Sequence, residues 1–425
     1  MRCARTLTIV SLFLLQASNG FSATKVVRLG KLVTGAGGVI TNAIVVIDDE
    51  HITSVGTSES TIPRNAEVVD LSRYTGIPGL IDVHTHLAGG AGAPSNRPPQ
   101  QPPQPPYAAV MGMFRSQPAG RTMLESGVTT IRNLGAVQFL DLAMRDLIAS
   151  GAIVGPRMIA SGPGLRTSSA LGTRVPEATA DGPAEVMRVV RQLVAAGVDC
   201  IKIFGSTGNG LELTGFQTFS YEELKAGIDV AHDLGKKVAV HSYGPAAARD
   251  AARAGADSIE HPADMDDGTL AEMAKRGIFY VPTIDHNRWY RENVRGATPE
   301  DKARLDDFIN RNLNTAKRAF KAGVKFAMGS DGGGSALIGE TTRELGWFVK
   351  AGMSPEQALA TATTNAATLL GRENELGKVA PGYFADIVAV DGDPLKSVDV
   401  VINNVQWVMK AGAVVVDKTK PRTAQ

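Results

Sequence analysis

Cysteine, excess charge and long hydrophobic runs are all scarce in this sequence, and each shortage excludes a class of protein. The 425 residues include only two cysteines, Cys3 and Cys200. If the N-terminal segment that carries Cys3 is removed, Cys200 stands alone and no internal disulfide can form. The 44 basic and 43 acidic residues leave a formal charge of +1. With no long basic run, this balance gives no indication of a nucleic-acid partner or of binding to anionic membranes.

The N-terminal segment has the order of a secretory signal. Arg2 and Arg5 precede an apolar run at 7–15, and small residues follow it. This order predicts a signal peptide over residues 1–22, cleaved after Ser22, and hence an exported protein, periplasmic or secreted. The apolar run is shorter than a membrane span, so no membrane attachment is expected after cleavage. A disordered start with a chance apolar run is the alternative.

Two kinds of pattern make up the rest of the chain. Short β-rich runs occur at both ends, in 23–78 and 376–425, and their close spacing predicts a small β-sandwich domain built from both termini. Residues 79–375 alternate short apolar strands with helical stretches that often end at glycine. This α/β pattern predicts a (β/α)8 TIM-type barrel. A doubly wound open sheet is the alternative, and the lack of a GxGxxG motif after the first strand weighs against it. The eight predicted strands are GLIDVHTH, VTTIRNL, PRMIASG, DCIKIFG, KVAVHSY, DSIEH, IFYVPT and VKFAMGSD.

A proline-rich segment, PSNRPPQQPPQPP at 94–106, follows the first predicted barrel strand. Its prolines exclude a helix or a central strand and predict an extended polyproline loop at the rim of the barrel. Two interpretations stay open for this segment: a solvated spacer, or a lid or subunit contact.

Polar residues at the predicted strand ends are informative, because barrel active sites lie at the carboxyl ends of the strands. His84 and His86 end the first strand, on one face, so both imidazoles can point at one metal ion. His241, His261 and Asp331 end the fifth, sixth and eighth strands. Histidine nitrogen with aspartate oxygen suits zinc and its neighbours. An isolated HxH pair could be two core histidines. The metal site is predicted from the five strand-end residues taken together.

Lys202 lies inside the fourth predicted strand, CIKIF, where apolar surroundings should lower its pKa. An ammonium has no lone pair with which to bind a metal ion. Three interpretations therefore stay open: a lysine paired with a carboxylate, a Schiff-base lysine, or a lysine carboxylated by CO2. Of the other histidines, His51 lies in the N-terminal sheet and His232 on an outer helix. His286 follows the seventh strand and is a candidate substrate contact.

Motifs spread over about 400 residues resemble those of the amidohydrolase superfamily of metal-dependent hydrolases. The resemblance is to its imidazolonepropionase-like branch, which includes carboxypeptidases and Xaa-Pro dipeptidases, and bacterial hydrolases of ochratoxin A are especially similar. The motifs that carry it, in chain order, are PGLIDVHTH, IKIFGSTG, AHDLGKKVAVHSYG, AGADSIEH, GSDGGG, AGMSPEQALATATTNAATLLG and LGKVAPGYFADIVAVDGDPL.

The resemblance implies a site with two divalent metal ions, expected to be zinc. A CO2-derived carbamate on Lys202 would bridge them. The other implied ligands are His84, His86 and Asp331 for the more buried ion, and His241 and His261 for the second ion.

The sequence departs from this branch near the predicted pocket. Leu171, in SSALG, stands where relatives often carry a histidine in a GGHG-like turn, and Asn133 stands where they often have aspartate. The segment after Asp331 lacks a further histidine that is usual there. Tyr243 falls where the branch often has a tyrosine near the substrate. We therefore expect Leu171, Tyr243 and His286 to contact the substrate, in a pocket more apolar than that of relatives.

The implied reaction is hydrolysis of an amide by a metal-activated water. Asp331 would take the proton of that water and pass it to the departing amine. The predicted substrates are N-acyl amino acids or dipeptides with an apolar C-terminal residue, including ochratoxin A, which would give ochratoxin alpha and phenylalanine. A cyclic-amide or ester hydrolase on the same site is the alternative, and a non-catalytic scaffold is a weaker one. The branch also leads us to expect a homo-oligomer.

Overall fold

The computed structural model describes residues 24–88, 108–169, 176–294, 296–333 and 337–420. In this part of the chain, no helix combines the length and the apolar character needed to cross a membrane. The predicted signal peptide, the proline-rich segment 94–106 and Leu171 lie outside the described residues.

The described residues form sixteen strands and twelve α-helices. The strands are β1 (Lys25–Val33), β2 (Val39–Asp48), β3 (His51–Gly56), β4 (Glu67–Pro78), β5 (Leu80–His86), β6 (Val128–Asn133), β7 (Arg157–Ala160), β8 (Cys200–Phe204), β9 (Lys237–His241), β10 (Ser258–Glu260), β11 (Phe279–Val281), β12 (Lys325–Phe326), β13 (Gly332–Gly333), β14 (Ile387–Val390), β15 (Val405–Lys410) and β16 (Ala413–Asp417). The helices are α1 (Ala108–Glu125), α2 (Leu140–Ala149), α3 (Pro183–Ala195), α4 (Tyr221–Asp233), α5 (Pro245–Ala254), α6 (Asp267–Arg276), α7 (Ile284–Asn293), α8 (Pro299–Lys321), α9 (Glu344–Lys350), α10 (Pro355–Thr361), α11 (Thr364–Leu369) and α12 (Asp399–Asn403).

Strands from both ends of the chain share one seven-stranded sheet, in the order β16-β15-β14-β4-β1-β2-β3. β1 and β4 run parallel, and the other neighbours in this sheet are antiparallel. One face carries a separate apolar cluster, in which Val27 and Leu29 of β1 pack with Ile387, Trp407 and Met409 from the C-terminal strands. The two ends of the chain thus form one structural unit. The domain boundaries at 22, 78 and 375 stay predictions.

The middle of the chain forms two parallel sheets, in the orders β12-β11-β10-β9-β8 and β13-β5-β6-β7. All eight predicted strands occur, and helices follow them along the chain, so the predicted α/β class is confirmed. Backbone hydrogen bonds also join the two sheets at two places, between the residues after β7 and β8 and between β5 and the residues after β12. Leu165 N donates to Lys202 O (2.8 Å) next to β8, and Val83 N of β5 donates to Met328 O (2.9 Å) beyond β12.

Local sequence explains how the helices of this region begin, end and pack. Ser220 accepts a hydrogen bond from the amide of Glu223, whose carboxylate accepts in return from the Ser220 amide, so α4 begins with a capping box. α5 begins at Pro245 and ends before Gly255, whose φ of 95° lies in the left-handed region that glycine adopts readily. α3 buries Val186, Val189, Val190 and Leu193, a three-to-four-residue spacing that places one apolar face inward.

The eighth predicted strand is shorter than expected. Regular pairing is limited to Lys325–Phe326, and Asp331 lies beyond the strand with a φ of 56°. The prediction that Asp331 ends a continuous strand VKFAMGSD is therefore wrong. The carboxylate of Asp82 explains the break, since it accepts hydrogen bonds from the Ser330 amide (3.1 Å) and hydroxyl (2.6 Å), which turns the chain before Asp331.

Candidate metal centre

His84, His86 and Asp331 form a cluster of potential metal ligands, with one ligand atom from each lying within 4.8 Å of the others. Nε2 of His86 is 3.1 Å and Nε2 of His84 is 3.4 Å from Oδ1 of Asp331. The two histidines alternate with Thr85 on β5, which places their rings on one face. This geometry agrees with the prediction from the HxH motif.

Backbone contacts fix Asp331 against the histidine strand. Its amide donates to the carbonyl of His84 at 2.7 Å, and the two residues that follow it pair with Thr85 and His86. Burial alone would raise the pKa of Asp331, but His286, His84 and His86 around it hold that pKa well below its usual range. Asp331 is therefore a carboxylate at neutral pH, the form that can bind a metal ion or accept a proton.

Glu260 and Arg132 support His84 from behind. The side chains of all three residues are almost completely buried. Nδ1 of His84 lies 2.8 Å from Oε2 of Glu260, while Nη2 of Arg132 donates to Oε1 of Glu260 at 3.0 Å. Burial opposes ionisation of Glu260, yet Arg132 and His84 lower its pKa to about 2. With the proton of His84 held on Nδ1, its Nε2 lone pair faces Asp331, as in the carboxylate–histidine pairs that orient metal ligands.

His241 and His261 complete the ring of histidines. The ring centroid of His261 lies 4.8 Å from that of His84 and 4.6 Å from that of His241. Nδ1 of His261 is 2.7 Å from the hydroxyl of Thr283, and Nε2 of His241 is 3.1 Å from the carbonyl oxygen of Gly208. Burial, followed by neighbouring charged and imidazole groups, holds the pKa of both histidines well below the usual value, so both rings are neutral. A neutral imidazole is the form that binds metal.

Lys202 is completely buried beside this cluster, on β8. Among the described residues, its Nζ has no hydrogen-bond partner, and neither does Nε2 of His84. Burial lowers the pKa of Lys202 to about 8. Buried polar atoms are rarely left without partners unless an ion, a water or a modification completes the site. The four histidines, the aspartate and these unpartnered nitrogens fit a metal centre.

Of the predicted substrate contacts, the structure places Tyr243 and His286 at the site. Nδ1 of His286 is 3.1 Å from Oδ2 of Asp331, and the hydroxyl of Tyr243 is 3.5 Å from the same nitrogen. The ring of Tyr243 stacks on that of His261, with centroids 4.9 Å apart. His286 thus contacts the carboxylate oxygen that faces away from His84 and His86. Leu171, as stated above, lies outside the described residues.

The two remaining histidines lie elsewhere, as the sequence predicted. His51 stacks on Phe384 in the terminal sheet, with centroids 4.6 Å apart. Nε2 of His232, on α4, lies 2.8 Å from Oδ2 of Asp257, within hydrogen-bond distance.

Sequence reasoning missed Asp82, Arg132 and Glu260. Each is a charged residue inside one of the predicted barrel strands, in GLIDVH, VTTIRN and DSIEH. A charge in such a strand is expensive to bury without a partner. This signal was visible in the sequence and could have marked each of them as a buried charge that needs a partner, although it does not say which partner.

The chain is similar to known proteins over most of its length. Residues 75–415 match the model described as "Amidohydrolase family". The ochratoxinase of the fungus Aspergillus niger is 29% identical over 422 residues, covering 90% of this chain and 84% of that protein. An imidazolonepropionase of Geobacillus kaustophilus is 24% identical over 421 residues, covering 90% and 92% of the two chains. A crystal structure of a Xaa-Pro dipeptidase with bound methionine superposes with a TM-score of 0.82 at 30% identity, covering 92% of this chain and 99% of that chain.

Proposed function

The chain belongs to the amidohydrolase family and is a hydrolase of amide bonds, and we propose that it is a binuclear, carboxypeptidase-like member. Its proposed substrates are N-acyl amino acids or dipeptides with an apolar C-terminal residue. The observation that carries this proposal is the convergence of Asp331 and four histidines beside the buried Lys202, whose Nζ has no hydrogen-bond partner among the described residues.

The side chains present suit two divalent ions, which we expect to be zinc. We propose His84, His86 and Asp331 as ligands of one ion, and His241 and His261 as ligands of the other. A carbamate formed from Lys202 and CO2 would supply the shared oxygen ligands. Its formation requires a neutral amine, and burial of Lys202 favours that form. When bound, such ions acidify a water molecule and polarise the amide carbonyl.

Asp331 is the proposed proton carrier. Its carboxylate is ionised and touches His86 and His286, so it can accept the proton of the attacking water. It can then deliver that proton to the amine nitrogen as the amide bond breaks. The contact between His286 and the second carboxylate oxygen keeps Asp331 in one orientation through this transfer.

The substrate class rests on the relatives and on the pocket. The matched proteins include an ochratoxinase and a Xaa-Pro dipeptidase, whose names point to amides with an amino-acid half. Tyr243 and Phe308 stack beside His261 and give this side of the site aromatic walls. We therefore propose ochratoxin A, cleaved to ochratoxin alpha and phenylalanine, as one substrate among apolar N-acyl amino acids.

Three further features are proposed for the whole protein. The two hydrogen-bonded parallel sheets are proposed to close into one (β/α)8 barrel, and the terminal sheet to fold as a β-sandwich domain. The N-terminal pattern supports export to the periplasm or medium. Assembly into a homo-oligomer is proposed from the same resemblance.

A substrate screen tests the proposed function. Zinc-loaded protein is assayed for release of free amino acid from N-acyl amino acids, dipeptides and ochratoxin A, with cyclic amides and esters as comparison substrates. Preference for acyl-phenylalanine or acyl-leucine over acyl-glycine supports the proposal. Turnover of only cyclic amides or esters would contradict it, and so would full activity in metal-free protein.

A further inference from the structure

Arg166 lies on the segment that connects β7 to β8 at the edge of the metal centre. The residue before it is held against β8, since Leu165 N donates to Lys202 O at 2.8 Å and Phe204 N donates to Leu165 O at 2.9 Å. The backbone of Arg166 itself exchanges hydrogen bonds with Ala178 and Ala180. The position of this arginine is therefore fixed relative to the strand that carries Lys202.

The guanidinium of Arg166 lies on an aromatic ring and has no anionic partner in the part of the chain that the structure describes. Its Cζ is 3.5 Å from the ring centroid of Phe204. Its Nε is buried without a hydrogen-bond partner, and no ion pair to its side chain is found among the described residues. Burial lowers its pKa to about 10, and no carboxylate opposes that effect. Arg132, by contrast, is neutralised by Glu260.

An arginine in this state has unused binding capacity. The guanidinium carries five N–H donors in a planar fork and stays charged at neutral pH. A partly desolvated cation without a counter-charge is costly. Since the ring of Phe204 covers one face of the plane, the edge of the fork is the part left to bind an anion.

The anion would lie next to the reacting amide. The ring centroid of Phe204 is 5.3 Å from that of His241 and 5.2 Å from Nζ of Lys202. Arg166 is thus separated from two of the proposed metal ligands by a single aromatic side chain. In an N-acyl amino acid the carboxylate is one carbon away from the amide nitrogen, so it must lie close to the metal centre.

We propose that Arg166 binds the carboxylate of the amino-acid half of the substrate. This inference rests on the proposed function and deepens it, because it explains why the amine side of the amide must be an amino acid. The fork can form two parallel N–H···O bonds to the carboxylate, which fixes the orientation of the substrate. Leu171, on the same connecting segment, has no polar group that could do so.

A pair of amides that differ only in the carboxylate tests the proposal. N-acetyl-L-phenylalanine and N-acetylphenethylamine are compared in zinc-loaded wild type, Arg166→Met and Arg166→Lys. Arg166→Met should raise KM for the acid by roughly 10- to 100-fold, the range expected for hydrogen bonds to a charged group. It should leave kcat/KM for the uncharged amide within about twofold, and Arg166→Lys should recover part of the loss. Arg191→Met removes an exposed arginine of α3 and serves as the matched control.

Metal content and direct binding separate the possible failures. Equal losses on both amides, or loss of bound zinc from Arg166→Met, would overturn the proposal in favour of a structural role beside Lys202. If wild type cleaves no N-acyl amino acid, the proposed function fails, and calorimetry with N-acetyl-L-phenylalanine then decides the role of Arg166. Binding to wild type that weakens at least tenfold in Arg166→Met supports carboxylate recognition. No binding to wild type, or equal affinities, refutes it.

Discussion

Glu260→Gln should destabilise the protein far more than the removal of a surface charge does. This effect should be present in the metal-free protein. Gln has nearly the same shape, but its single carbonyl oxygen can accept from Arg132 or from His84 and not from both, since these two donors bind different oxygens of Glu260. The substitution removes the negative charge that balances a guanidinium of which only 1% is exposed. Breaking one partner of a buried ion pair costs about 3–5 kcal/mol, since the other charge stays buried and uncompensated. That is a large part of the about 5–15 kcal/mol by which proteins are usually stable.

Urea denaturation of metal-free wild type and variant measures this cost directly. Glu272→Gln is the matched control, because its ion pair with Arg276 lies on the surface of α6, where solvent screens the charges and the pair should contribute little to stability. The double variant Glu260→Gln with Arg132→Met should recover part of the stability, as it removes the unpaired cation. If Glu260→Gln unfolds at the same urea concentration as Glu272→Gln, the buried pair does not have the role assigned to it. A zinc titration of the folded variant should also show roughly 10- to 100-fold weaker binding, as expected when the support of a ligand histidine is lost.

Four further outcomes are expected at and near the centre. Asp331→Asn should lower kcat by at least about 10²–10⁴-fold while the circular dichroism spectrum is unchanged, and near-native turnover with metal bound would exclude the proton-carrier role. Lys202→Ala should lose metal and activity together, and added acetate or propionate should restore part of both; a variant that keeps both metal equivalents, measured by elemental analysis, would exclude the carbamate bridge. Removing metal with a chelator should abolish amide hydrolysis, and zinc should restore it, whereas residual turnover in dialysed, metal-free protein would contradict metal dependence. Shortening 94–106 should change KM or oligomer mass, measured by light scattering, with little change in kcat; a large fall in kcat alone would contradict this interpretation.

The sequence predicted those features that depend on local pattern. Alternating apolar strands and glycine-ended helices are local signals, so the eight strands of the middle region were found. The sequence could predict that His84 and His86 lie side by side, because residues i and i+2 of a strand lie on the same face of the sheet. The network behind them could not be placed in the same way. The pairing of Glu260 with Arg132 joins strands that are distant in sequence, and only the folded sheets show that both residues meet behind His84.

The position of Asp331 shows a different limit. Its neighbours VKFAMG have the composition of a strand, and period alone extends that strand to the aspartate. The observed break depends on Asp82, a residue about 250 positions earlier, which holds Ser330 and thereby turns the backbone. Likewise, Arg166 has no counter-charge among the residues that the structure describes, and this property of its three-dimensional surroundings is not recorded by any motif in the sequence.

The shared terminal sheet makes the order of synthesis matter. β4 runs directly into the strand that carries His84 and His86, and its later half pairs with β14, so that Pro78 lies opposite Ile387. A growing chain exposes that edge of β4 until nearly the whole protein has been made. Contacts so distant in sequence form slowly, and an unpaired edge strand is a template for aggregation. Chains that stop before β14 should therefore accumulate as insoluble fragments even though every proposed metal ligand is already in place.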